Sequence, residues 1–156
     1  MKQLKLTRIL LALTAPTLAI GLQAIAPTPA QAQGKMEKMD AKPQVVAAIF
    51  YADWCSKCKQ MGPGMMKTME NLKGDSSVKF IKFDLTNDKT KAASAKLAAA
   101  NGLTQVWEAN QSTGQVLLVK GTQRTKVLGT LVSTQSQPSM ENKVKKAVMM
   151  VETGKA

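Results

Sequence analysis

The chain holds two cysteines and no histidine, and the cysteines stand two residues apart in Trp54-Cys55-Ser56-Lys57-Cys58-Lys59. The run before them, Val45-Val46-Ala47-Ala48-Ile49-Phe50, has the length and apolar content of a buried strand. The segment after them has helical spacing. A Cys-x-x-Cys pair at a strand-to-helix junction puts the first sulfur at a helix N-terminus, where unpaired backbone N–H groups and the helix dipole favour a thiolate. The second sulfur lies one turn on, close enough to bridge to the first. Sulfurs so placed suit thiol–disulfide exchange. A bridge between residues three apart closes too small a loop to restrain an unfolded chain much, so redox chemistry explains the pair better than stapling does.

Metal chemistry is the competing use of the same sulfurs. Structural zinc needs about four ligands, and two thiols without a histidine do not supply them, so no metal site is expected. Cu(I) is the more serious rival, because Met61, Met65 and Met69 recur every four residues after the pair, with Met66 adjacent. Soft thiolate and thioether donors suit that ion. The same spacing is what a core-facing helical stripe requires, and methionine fills gaps in cores well. Packing is therefore the reading adopted, for these methionines and for Met149 and Met150.

The elements that must position the pair follow along the chain. A strand over about 45–52 leads into a helix over about 56–73, which ends near Gly74. Val78 to Asp84 reads as a second strand, and Asp84 as a turn residue at its end. Lys89 to Ala100 is alanine-rich and helical, stopped by Asn101-Gly102. Leu103, Val106 and Trp107 have helical spacing and predict a short extra helix or structured loop, with Trp107 as its packing anchor. Gln115 to Val119 is a continuous apolar run suited to a central strand, and Val127 to Val132 is its hairpin partner. Pro138-Ser139 opens a last helix with Val144, Ala147, Val148 and Val151 on one face.

The stretch Tyr51-Ala52-Asp53-Trp54-Cys55-Ser56-Lys57-Cys58-Lys59, with Pro63 five residues after the second cysteine, resembles the active-site segment of the thioredoxin superfamily. The order βαβα then ββα extends the resemblance over most of the chain after residue 40. It implies an α/β fold, a thioredoxin-like mixed sheet flanked by helices in a single domain over 44–153. It also implies roles: Cys55 as nucleophile, Cys58 as resolving thiol, a redox-active Cys55–Cys58 disulfide, and Trp54, Ser56, Lys57 and Pro63 as residues that shape the site. Lys57 stands where thioredoxin itself commonly has proline, and a cation there favours the thiolate and hence oxidising behaviour. No organic cofactor is implied, since the electrons reside on the cysteines. Two departures stand out. Ile49 occupies the position of the family's buried acid, six residues before the first cysteine. No proline lies between Pro63 and Pro138, so the family's cis-proline facing the disulfide is absent. Trp107 or a residue near Gly114 takes its place, and a specialised client is expected.

The first 32 residues read as a cleavable signal peptide. Lys2, Lys5 and Arg8 form a basic front, Ile9 to Ala26 is apolar but broken by Pro16 and Gly21, and Ala30-Gln31-Ala32 has the form of a cleavage site. Residues 33–43 are a polar lead-in. Export implies a periplasmic, lumenal or secreted location. Cleavage near Ala32 would remove three of the 22 basic residues and none of the ten acidic ones, and lower the net charge from +12 to +9. Arg124 is the only arginine beyond residue 8, and with so few aromatics the charge does not indicate nucleic acid. Weak attraction to an anionic membrane surface is the partner such a charge admits. The expected function is exported, monomeric thiol–disulfide exchange with protein clients and a redox partner. The alternative is a non-enzymatic module, either a Cu(I) carrier or a redox-silent adaptor.

Overall fold

Residues 42–156 are described in a computed structural model; the signal peptide expected over 1–32 and nearly all of the lead-in lie outside them. The strand before the cysteines, β1 (Val45–Tyr51), is buried along all but its last residue. It sits inside a four-stranded sheet of order β2-β1-β3-β4. β2 (Val78–Asp84) runs parallel to it on one side, and β3 (Gln115–Lys120) antiparallel on the other. A strand covered on both faces needs no polar alternation, which is why β1 and β3 read as continuous apolar runs. β4 (Val127–Val132) pairs antiparallel with β3 and forms the second edge.

Alternate residues of β1 feed two cores. Val45, Ala47 and Ile49 pack with Val116 and Leu118 of β3 and with α1 (Ser56–Asn71) and α4 (Gln137–Glu152). Val46, Ala48 and Phe50 pack on the opposite face with Phe83, Ala98 of α2 (Asp88–Ala100) and Trp107 of α3 (Thr104–Ala109). The extra segment is thus a short helix, and Trp107 is its anchor. Its ring stacks on Phe50 with centroids 6.2 Å apart and meets Phe83 edge-on at 5.3 Å. The mixed sheet flanked by helices is the expected α/β architecture.

Local signals fix the helix starts. α2 carries a capping box, with Asn87 Oδ1 accepting from the Thr90 N–H at 3.1 Å and Thr90 Oγ1 accepting from the Asn87 N–H at 3.1 Å. α4 begins with Pro138 in its first turn, where the missing N–H costs nothing. α1 begins at the cysteine pair itself.

Candidate active site

Cys55 is the N-cap of α1, in extended backbone conformation, and its Sγ accepts a hydrogen bond from the Cys58 N–H at 3.1 Å. A sulfur in the place of a capping hydroxyl meets an amide that has no partner within the helix. The two cysteines are joined as a disulfide with Cα atoms 5.2 Å apart. Both are buried, at 6% and 5% exposure, in a small cluster with Ala52 against which Tyr51 packs. Cys58 Sγ also lies 3.8 Å from the Phe50 carbonyl oxygen, an acceptor for its S–H when the bridge is open.

Trp54 is 63% exposed and stands beside the bridge. Its Nε1–H donates to the Thr86 carbonyl at 3.2 Å, while the Asp53 N–H donates to Thr86 Oγ1 at 3.1 Å. Thr86 in turn donates its N–H to Asp84 Oδ1 at 2.8 Å. Hydrogen bonding to Thr86 holds the Asp84 carboxyl below its ordinary range, against the opposing effect of burial. The turn after β2 therefore clamps the loop before the cysteines. Thr86 is a site-shaping residue that sequence reasoning missed, because nothing distinguishes it from an ordinary turn residue. Asp84 is more than a turn residue for the same reason.

The Cys55 side of the disulfide opens on a groove of ≈ 470 Å³ bordered by Trp54, Ser56 and Lys57 on one bank and Gln111, Ser112 and Thr113 on the other. Between Trp107 and the neighbourhood of Gly114, it is the second that faces the bridge. Gly114 has φ +79°, its N–H donates to the Phe50 carbonyl at 2.9 Å, and a Cβ there would lie 2.7 Å from Lys57 Cβ and 3.4 Å from Cys55 Sγ. Trp107 is buried among the aromatic residues behind β1. No cis peptide occurs among the described residues.

Pro63 lies on the exposed side of α1, where it deprives the Lys59 carbonyl of its helical donor without interrupting the helix. Met61 and Met65 are buried in the core, as the stripe requires. Met66 is 71% exposed, Met69 lies at the margin, and Met149 is 57% exposed, so packing accounts for only part of the methionine pattern. Behind Cys58 lies a second, apolar cavity of ≈ 190 Å³, to which Ile49, Met61, Met65 and Lys82 contribute. Among the described residues no three histidine, cysteine or acidic side chains are grouped to hold a metal ion. No helix of the described residues is long and apolar enough to cross a membrane.

A match to the family model described as Thioredoxin spans residues 25–128, well over half of the chain. The chain belongs to the thioredoxin family. The match begins ahead of the expected cleavage point at Ala32. Among solved structures, a thiol:disulfide interchange protein of the thioredoxin family from Chlorobium tepidum TLS is 16% identical, with a TM-score of 0.47, over 69% of this chain and 81% of that one. MTB dsbF is 14% identical, with a TM-score of 0.45, over 67% and 81%. A malarial protein is 22% identical, with a TM-score of 0.43, over 67% and 97%. No curated protein matches. Family membership and the close Cys55–Cys58 pair together support a thiol–disulfide oxidoreductase at the level of the family.

Proposed function

We propose that this thioredoxin-family protein is exported and exchanges disulfides with protein clients through Cys55 and Cys58. The observation that carries the reading is the position of Cys55 Sγ: at the cap of α1, hydrogen-bonded to an amide, and bordering an open groove. A sulfur stabilised there as thiolate is both a good nucleophile and a good leaving group. In the oxidising direction a client thiolate attacks Cys55, the bond to Cys58 breaks, and Cys58 leaves with the electron pair. A second client thiolate then attacks the client sulfur of the mixed disulfide and releases Cys55. The client gains one disulfide and the protein becomes the dithiol. The reverse sequence reduces a client, with Cys58 attacking Cys55 to release it.

Lys57 at the groove favours the thiolate form and inclines the pair toward oxidation. Trp54, Ser56 and the segment 111–114 supply the surface on which a client lies. Export rests on the expected signal peptide over residues 1–32. The mature protein acts as a monomer with a basic surface that is weakly drawn to anionic membranes. Cu(I) carriage is disfavoured, because the methionines beside Cys58 share their cavity with the Lys82 ammonium, which opposes a further cation.

Trapping tests the assignment of roles. Cys58→Ser incubated with a model disulfide peptide should accumulate a covalent adduct of one peptide per protein by mass, and Cys55→Ser should accumulate none. Equal adducts on both variants would remove the distinction between nucleophile and resolving thiol.

A further inference from the structure

Between β4, an edge of the described sheet, and α4 lies a groove of ≈ 360 Å³ that shares no residue with the disulfide site. Its floor is the core itself, since Leu118 and Ala147 are 1% and 2% exposed. A glycine opens it. The β3–β4 register slips between Leu118 and Val119, so that Gly129 stands opposite Leu118 and Leu128 is the extra residue of a bulge. Residues directly opposite share a face, and Leu118 packs toward α4, so Gly129 leaves a missing side chain under that helix. No neighbour requires the gap. A Cβ on Gly129 would meet only Leu118 Cδ1, at 3.9 Å, and the glycine has no positive φ. A glycine within a strand often marks a close approach, and here the space is left open to solvent.

The helical wall of the groove is graded. Lys143, Lys146, Ala147 and Met150 stand at i, i+3, i+4 and i+7 on α4, one stripe that runs from charged to apolar. Lys143 marks the polar end, where its Nζ donates a long hydrogen bond of 3.4 Å to the Thr130 carbonyl. Both lysines are exposed, and neither has a carboxylate partner among the described residues. Glu141, one turn ahead, is taken by Lys145, Asn71 and Gln137. Glu152 accepts from Gln44. No acid lines the groove. Two like charges one turn apart beside an apolar trough complement an anionic head joined to an apolar tail.

We propose that the β4–α4 groove is a binding site for a free long-chain carboxylate, with its head between Lys143 and Lys146 and its alkyl chain over Gly129 toward Leu128 and Met150. Size selects a single chain. A cavity of about 150 Å³ holds one benzene, so this one has room for roughly a dozen carbons, too few for a lipid with two chains. The groove's volume is that of an ordinary small-ligand pocket. The site is independent of disulfide exchange, and no bond is made or broken in it.

The test is a nitrogen–proton NMR titration of the oxidised full-length protein with dodecanoate, kept below the concentration at which it aggregates. The Thr130 and Ala147 amides should shift together and saturate. Decanoate, two methylenes shorter, should bind about fifteenfold more weakly. Dodecanol, which lacks the charge, should bind about fivefold more weakly than dodecanoate, and Lys143→Gln with Lys146→Gln should abolish that preference. Gly129→Val fills the trough without a clash and should lose binding while keeping its urea midpoint. Absence of a saturable shift at Thr130 and Ala147 would overturn the proposal. So would wild-type affinity in Gly129→Val, or a preference for dodecanoate that survives loss of both lysines. Shifts produced by anionic phospholipid vesicles and not by dodecanoate would also overturn it, and would assign this face to a membrane surface.

Discussion

Gly114→Ala should be costly, and the structure divides the cost into two parts. At φ +79° an L-residue pays a backbone penalty of about 1 kcal/mol relative to glycine. The added methyl would also lie 2.7 Å from Lys57 Cβ, an atom fixed to the backbone of α1 that no rotamer change can withdraw. Overpacking of that kind costs about 1–3 kcal/mol. The sum is about 2–4 kcal/mol, read as a lower midpoint in urea unfolding of the oxidised protein at unchanged slope. A double-mutant cycle separates the parts. Lys57→Gly removes the atom in the way, so Gly114→Ala measured in that background should lose only the backbone part, leaving a coupling of about 1–3 kcal/mol. Loss of less than 1 kcal/mol in the single variant, or no coupling in the cycle, would mean that segment 111–114 does not approach the disulfide as described.

Two further outcomes follow from the packing and the electrostatics. Trp107→Ala removes a ring that contacts both Phe50 and Phe83 and should destabilise the fold by about 3–5 kcal/mol in the same assay; an exposed loop residue would lose a small fraction of that. Glu141 is held at a pKa of about 2 by hydrogen bonding to Lys145 first, then Asn71 and Gln137. Its folded value lies below the unfolded one, so its contribution is fully present above about pH 4.5 and is lost as pH falls through about 2. Unfolding of Glu141→Gln followed from pH 6 to pH 2 should show a shallower loss than wild type, and curves of equal slope would refute the assignment.

Much of this fold is legible in the residues themselves. The apolar runs at 45–50 and 115–119 are continuous because both strands lie inside the sheet with both faces covered. The short helix at 104–109 shows in the spacing of Leu103, Val106 and Trp107. The cysteine pair announces the site. What the sequence leaves open depends on contacts between distant segments. Whether Trp107 or Gly114 faces Cys55 turns on the path of a loop more than 50 residues further along the chain. The clamp of Thr86 on Trp54 joins two turns that share no local signal. The placing of Lys82 behind Cys58 requires the β1–β2 register, which periodicity within either strand does not fix. Met149 departs from its expected packing because the buried stripe of α4 runs through Met140, Val144 and Ala147, leaving Met149 on the solvent side.

The most direct measurement is the redox equilibrium of the Cys55–Cys58 pair against glutathione, followed by the fluorescence of Trp54 beside it, with Cys55→Ser as the control. A reversible two-electron transition at a defined potential, absent in the control, is the expected result. If the two cysteines form no reversible disulfide at any glutathione ratio, the pair is not an exchange centre, and the redox-silent adaptor becomes the reading of this fold.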